Sequence, residues 1–348
     1  MNLFLFILLI FLCQSFLFGF WFDFSYLPLG FLSIVLGAII GLIVWIILSE
    51  LQLFYEDLHK VEVKNKSVLV TGCDSGFGLM LAQSLSKRGM FVFAGVLNLN
   101  SEGASVLKFN SVVKVIKMDV TKNEEVEEGL CIVRKTLTDM DYILWAVVNN
   151  AGVGHSQMME FLPIDKLRQL LEVNALGLLR VCQKFLPLLR GHGRIVNLTS
   201  IAGEVVSPFL GGYCASKFCA EAISDALRFE LHPLGIPVIT IKPQAYKTSI
   251  LFSTNEVFGA NETNLYGEKF IKKSEDILQN WIEGASENFH EVINTLESAI
   301  LNRTYQYKYI PNFIFRMKLL MLNFNSTSNL TRTGFQNGDI SIPVKTEF

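Results

Sequence analysis

Ser67-Val68-Leu69-Val70-Thr71-Gly72-Cys73-Asp74-Ser75-Gly76-Phe77-Gly78 is the stretch that decides the fold of this 348-residue chain. Residues 67–71 form a short apolar run with the β-branched character of a buried strand, and they feed directly into a turn with glycines at 72, 76 and 78. Residues 79–88 then read as a helix. The turn dispenses with side chains for two physical reasons. The backbone must bend sharply, and it must come close to an anionic group at a helix N-terminus, where unpaired N–H groups point outward. A glycine triplet alone says little, but between a strand and a helix it follows the nucleotide-binding order.

Further apolar runs of strand length stand at 91–96, 113–118, 144–149, 194–199 and 238–242, and helix-length patterns at 124–137 and 164–189 alternate with them. Repeated strand and helix alternation predicts an α/β fold: one doubly wound parallel sheet covered on both faces.

A second constellation carries chemistry. Tyr213 and Lys217 stand four apart in Gly-Gly-Tyr213-Cys214-Ala215-Ser216-Lys217, with Ser200 thirteen positions upstream. On a helix, i and i+4 share a face, so the Lys217 ammonium is expected to sit beside the Tyr213 phenol and favour its ionised form. Tyrosine ordinarily titrates near pH ~10, so a proton donor or acceptor usable near neutrality requires such a cation.

Taken in order, Thr71 to Gly78, then Asn149-Asn150-Ala151-Gly152, Asn174, Ser200, Tyr213 and Lys217 make a pattern that resembles the short-chain dehydrogenase/reductase family. Its motifs are TGxxxGxG, NNAG, a helix Asn, a Ser and YxxxK, and the resemblance covers about residues 67–248. It implies a Rossmann-type fold and a nicotinamide-dependent oxidoreductase with no metal site. The cofactor-binding positions would be Gly72, Ser75, Gly76, Phe77, Gly78, Asp119, Val120, Asn150, Ala151, Gly152, Tyr213, Lys217, Pro243 and Thr248. The catalytic set would be Asn174, holding a relay water, Ser200, Tyr213 and Lys217. Asp119 matches the family position whose carboxylate contacts the adenine, with a helix N-cap before Thr121 as the alternative.

Cofactor choice is read at the end of the second strand, where an acidic residue would bind ribose hydroxyls and an Arg a 2′-phosphate. Ala94-Gly95-Val96-Leu97-Asn98 offers neither, and Ser75 is neutral as well. With no cation to meet an extra phosphate, NAD is expected over NADP. One departure stands out: the family has Pro-Gly after the sixth strand, and this chain has Pro243-Gln244, which bears on how the nicotinamide is seated.

The stretches Thr71 to Gly78, Phe93 to Asn98, Leu144 to Asn150 and Phe185 to Arg190 resemble the branch of retinol dehydrogenases, 17β-hydroxysteroid dehydrogenase type 2 and 3-hydroxybutyrate dehydrogenase, with insect-type enzymes of ecdysteroid synthesis nearby. The resemblance points to a lipophilic alcohol or ketone, a steroid or retinol, as substrate, leaves a homodimer open, and sets a hydroxybutyrate enzyme or a non-catalytic nucleotide- or lipid-binding scaffold as rivals.

The remaining signals concern compartment. Hydrophobic residues make up 51% of the chain, and much of the excess lies in two apolar runs at 3–21 and 27–48. They predict N-terminal transmembrane helices, two spans or one hairpin, as an anchor over 1–48 with a linker at 49–66. A cleaved signal peptide is the rival, opposed by the lack of Lys or Arg before the first run. No transit-peptide pattern precedes them, so an endoplasmic reticulum membrane is expected. Orientation stays open: Lys60, Lys64 and Lys66 favour a cytoplasmic domain, while Asn-x-Ser/Thr triplets at Asn261, Asn302, Asn325 and Asn329 would be acceptors in a lumenal one. A net charge of −2 without a basic cluster speaks against nucleic acid as a partner. Six cysteines without CxxC spacing read as reduced thiols.

Beyond residue 248, helix is expected over 269–301 within a substrate lid that completes a catalytic domain over 67–324. The apolar segment 310–324 reads as core, cleft cap or membrane-surface segment, and 325–348 as a disordered tail.

Overall fold

The computed structural model describes residues 60–248, 266 and 268–312, together with Gly37, Ile39 and Gly41. The expected membrane anchor, most of the linker, the start of the lid, the apolar segment beyond residue 312 and the tail lie outside the described residues. The chain falls into two units. In the first, Met1–Val61 with Asn302–Thr304, Lys60 and Asn302 form an antiparallel bridge. Asn302 is buried, while Arg303 and Thr304 of its triplet are exposed.

The second unit, Glu62–Leu301 with Tyr305–Phe348, holds the sheet. Its elements run β1 (Lys66–Val70), α1 (Gly76–Lys87), β2 (Phe91–Val96), α2 (Glu102–Lys108), β3 (Val113–Lys117), α3 (Asn123–Met140), β4 (Ile143–Asn149), α4 (Ile164–Leu171) and α5 (Leu178–Leu189). They continue with β5 (Arg194–Leu198), α6 (Gly211–Leu231), β6 (Val238–Ile241), α7 (Glu268–Glu283), α8 (His290–Leu301) and β7 (Lys308–Tyr309). The seven strands lie in the order β3-β2-β1-β4-β5-β6-β7, every neighbouring pair parallel, as a Rossmann-like sheet.

Strand alternation sends successive side chains to opposite faces. Val68, Val70, Val92, Ala94, Ala146, Val148, Ile239 and Ile241 pack beneath α1 and α8, against Leu81, Leu85, Leu296 and Ile300. Leu69, Phe93, Leu144, Val147, Ile195 and Val238 face the other way, against Val126, Val133, Val181 and Phe185 of α3 and α5. Both faces being covered explains why these strands read as unbroken apolar runs. Strand order reverses between β1 and β4. A crevice therefore opens at their C-terminal ends, where such sheets bind ligands.

Three expectations about local structure are corrected. Residues 164–189 are not one regular α-helix, because a π-helical turn at Glu172–Gly177 separates α4 from α5. The helical stretch 269–301 is two helices, broken where the N–H of Ala285 tightens onto the Ile282 carbonyl at 3.2 Å and Ser286 turns to pair with Tyr246. The first helix begins at Gly76 inside the glycine turn, not at residue 79.

Candidate active site

The glycine turn is fixed from two directions. Gly72 takes φ +71°, which an L side chain rarely adopts, and a Cβ there would stand 2.8 Å from the Ala151 Cα. Gly78 has no room either, since its Cβ would stand 2.3 Å from the Gly72 carbonyl oxygen. Asn150 holds the turn to the end of β4: its amide donates to the carbonyls of Thr71 and Gly72 at 2.8 and 3.0 Å. In return the Thr71 hydroxyl accepts the N–H groups of Asn150 and Ala151, both at 3.1 Å. The neighbouring Asn149 is an internal strut, donating to Asn197 at 2.9 Å within the sheet.

At the end of β2, the Asp74 carboxylate accepts the N–H of Leu97 at 2.8 Å and of Asn98 at 2.9 Å. The β1 turn thus supplies the acidic group that the β2 end lacks. The sequence reading missed it, because the partners lie more than twenty residues apart. Asp119 closes a local turn, accepting from the N–H and hydroxyl of Thr121 at 3.0 and 2.7 Å. It is not a helix N-cap: α3 starts at Asn123 with Lys122 as the flanking residue.

One cleft of about 560 Å³ runs past both halves of the sequence constellation. Gly72, Ser75, Gly76, Phe77, Asp119, Val120, Asn150, Ala151 and Gly152 line it, and so do Ser200, Tyr213, Lys217, Pro243 and Thr248. Two expected residues lie behind this surface. Gly78 is packed under Gly72, and Asn174 is buried in the π turn. The Asn174 amide is engaged by protein: Oδ1 accepts the Val153 N–H, and Nδ2 donates to the Val153 carbonyl and the Ser216 hydroxyl, each at 2.9 Å. Both amide donors are thus taken, by the loop after β4 and by α6, while Oδ1 keeps a second lone pair.

Tyr213 and Lys217 share one face of α6, with Nζ 5.8 Å from the phenol ring centroid and donating to the Leu198 carbonyl at 3.3 Å. The Ser200 hydroxyl accepts the Ala202 N–H at 3.1 Å. Electrostatics here corrects the expected lowering of the phenol. Burial pushes Tyr213 up to about 12, only partly offset by its hydrogen bond with Ser200, and the Cys214 thiol adds to the rise. Burial also brings Lys217 down to about 8, against the pull of Glu221. Desolvation wins because Lys217 is buried and Tyr213 is partly enclosed by the packing around α6.

The cleft contains residues that the motifs did not reach. Gln244, the departure from Pro-Gly, lines it beside Pro243, and Leu278 and Trp281 of α7 line it as well. His155 lines it too, paired with Gln157 at 3.0 Å. Lys217 is the sole Lys or Arg among the described lining residues.

Comparison with known proteins bears on the same residues. The short chain dehydrogenase family model matches residues 66–257, a span that contains the glycine turn, Ser200, Tyr213 and Lys217. The chain belongs to the short-chain dehydrogenase family. Mitochondrial D-beta-hydroxybutyrate dehydrogenase of Rattus norvegicus is 34% identical over 262 residues, covering 71% of this chain and 76% of the relative. Estradiol 17-beta-dehydrogenase 2 of Mus musculus is 35% identical over 269 residues, covering 73% and 70%. Retinol dehydrogenase 16 of Homo sapiens is 35% identical over 252 residues, covering 69% and 78%. These relatives place the chain in the branch that the sequence resembled. Among solved structures, a short chain dehydrogenase/reductase from Burkholderia phymatum in complex with NAD has a TM-score of 0.64 at 19% identity, covering 79% of this chain and 98% of that one. A short chain dehydrogenase from Burkholderia cenocepacia in complex with NADP has a TM-score of 0.59 at 20% identity, covering 78% and 98%. Both share the fold. The chain is thus an oxidoreductase of a family that binds nicotinamide cofactors and acts on CH–OH groups.

Proposed function

We propose that this protein is a membrane-bound, NAD-dependent dehydrogenase of a lipophilic alcohol or ketone, a steroid or a retinoid. The observation that carries the reading is the single cleft lined at one end by the glycine turn and at the other by Ser200, Tyr213 and Lys217.

The residues fit a dinucleotide. Gly76 has φ +58° with nothing nearer to an added Cβ than 3.9 Å, so its backbone faces open space at the start of α1. Gly72, Ser75, Phe77 and the support of Gly78 would hold the pyrophosphate, Asp119 and Val120 the adenine, and Asn150, Ala151, Gly152, Pro243 and Thr248 the nicotinamide half. Asp74 supports NAD, since its carboxylate at the β2 end would repel a 2′-phosphate. A nicotinamide cofactor, when bound, takes or gives the hydride. Ser200 then donates to the substrate oxygen, and Tyr213 Oη takes the alcohol proton in oxidation as the phenolate, the form that the Lys217 ammonium favours against burial, or returns it in reduction as the phenol. Lys217 holds positive charge beside the developing phenolate. Asn174 keeps the Val153 loop in place against them.

The lipophilic class rests on two supports. The apolar runs at 3–21 and 27–48 would hold the domain at a membrane, the endoplasmic reticulum on our reading, where such substrates concentrate. Among the described residues, the cleft wall also presents no Arg, and no Lys besides Lys217, to meet a substrate carboxylate, which weighs against a hydroxy acid despite the likeness to the rat enzyme.

The test is NADH formation by the detergent-solubilised protein given NAD with estradiol, retinol or 3-hydroxybutyrate, with Tyr213→Phe as control. Turnover of estradiol or retinol, abolished in Tyr213→Phe, is expected. Turnover of 3-hydroxybutyrate alone would reverse the substrate class, and turnover unaffected by Tyr213→Phe would remove the phenol from the mechanism.

A further inference from the structure

Behind the cleft lies a buried charged cluster that the family motifs do not include. Glu221 sits on α6 four residues beyond Lys217 and eight beyond Tyr213, so all three project from one helix face. Its side chain is 9% exposed, and one carboxylate oxygen accepts from the Thr199 hydroxyl. The other faces the Lys242 ammonium at 2.8 Å. Lys242 is itself 1% exposed and pairs further with Glu204, which reaches solvent.

Each partner adjoins a residue of the cleft. Thr199 precedes Ser200 and is held to β6 by its N–H on the Ile241 carbonyl at 2.9 Å. Lys242 precedes Pro243, whose carbonyl accepts the Ile201 N–H at 3.0 Å. The backbone leaves no slack around the carboxylate, because a Cβ on Gly203 would stand 2.9 Å from Glu221 Cγ. Counting charges, Lys217 and Lys242 are balanced by Glu221 and Glu204. Buried charge survives only when paired, so loss of Glu221 would leave Lys242 with a half-exposed partner and Lys217 without the carboxylate one turn along its own helix.

We propose that Glu221 is a positioning residue for the proton-transfer end of the cleft: its carboxylate joins the ends of β5 and β6 to α6 and supplies the counter-charge for the Lys217 ammonium. The proposal rests on the functional reading above for what Lys217 does, but its geometry stands apart from any substrate. The charged and titratable groups facing Glu221 are Lys217 on its own helix and Lys242 after β6, with Glu204, which follows the 3₁₀ turn Ile201–Gly203, reaching it through Lys242. Lys217 and Lys242 compete for one carboxylate. Removing the carboxylate and removing the competitor therefore move Lys217 in opposite directions.

Competitive labelling of the full-length protein with acetic anhydride over a pH series, read by peptide mass spectrometry, follows the Lys217 amine through the cleft that it lines. Glu221→Gln is expected to move the Lys217 labelling midpoint down by about 1 pH unit or more, and Lys242→Met to move it up. Glu221→Asp should recover part of the loss. Where a panel substrate turns over, the alkaline limb of kcat should follow the same two directions. Unchanged Lys217 midpoints in both variants, with melting curves showing folded protein, would overturn the proposal. If Glu221→Gln does not fold, the Lys242→Met shift decides alone. Labelling needs no substrate, so absence of turnover counts against the proposed function and leaves this result intact.

Discussion

The carboxylate of Asp74 accepts the backbone N–H of Leu97 at 2.8 Å, so an acidic side chain from the first turn sits at the end of the second strand. Its neighbour Asn98 donates to the other oxygen. If that charge discriminates between cofactors, Asp74→Asn keeps the shape and loses the repulsion. NADPH affinity relative to NADH should rise about tenfold, ~1.4 kcal/mol, in fluorescence titrations of the two reduced cofactors. An unchanged ratio would assign Asp74 to loop geometry alone.

Glycines 76 and 78 differ in why they are glycine, and substitution separates the reasons. Gly78→Ala drives a Cβ into the Gly72 carbonyl at 2.3 Å and the Asn150 amide at 2.5 Å, both parts of the stapled turn. It should cost ~2–3 kcal/mol and abolish cofactor-induced stabilisation in a melting assay. Gly76→Ala meets open space and carries only the strain of φ +58°, roughly 1–2 kcal/mol. That variant should fold and still respond to NAD, more weakly.

What the sequence disclosed follows the reach of each constraint. The glycine turn and the strand runs were legible because backbone bending and two-sided burial act through adjacent residues. The π turn at Glu172–Gly177 was not, since one extra residue per turn leaves an amphipathic pattern nearly intact over six residues. The break between α7 and α8 did leave a signal, Gly284 followed by Ala-Ser-Glu-Asn, which the helical periodicity on either side outweighed. Two-residue β7 was too short to announce itself. At the site, residue identities were readable but their electrostatics were not. Spacing put Lys217 beside Tyr213, whereas desolvation depends on how deeply α6 is packed, which no motif records.

Asn174 spends both amide donors on Val153 and Ser216, so Asn174→Asp replaces two donations with a carboxylate facing a carbonyl oxygen at 2.9 Å. The site is buried. A loss of ~2 kcal/mol is expected, visible as a lower melting temperature, because the carboxylate must either face that carbonyl as a buried charge or take up a proton. Melting unchanged from the parent protein would mean that the loop after β4 relaxes away from the π turn.

Burial lowers the Lys217 pKa from the ordinary 10.5 to about 8, with Glu221 opposing the shift, and a depressed folded-state pKa has one consequence for stability. Above about pH 10.5 the amine is neutral in folded and unfolded chains alike. As pH falls from there to 8 the unfolded chain binds a proton that the folded chain resists, so the contribution of Lys217 to stability declines. Below 8 both are protonated and the difference stays constant. Unfolding free energies of the parent and of Lys217→Met, measured from pH 7 to 11, should therefore diverge by ~3 kcal/mol across this window, with the parent gaining as pH rises. A flat difference would show that Lys217 keeps an ordinary pKa, with hydration reaching its Nζ through the cleft.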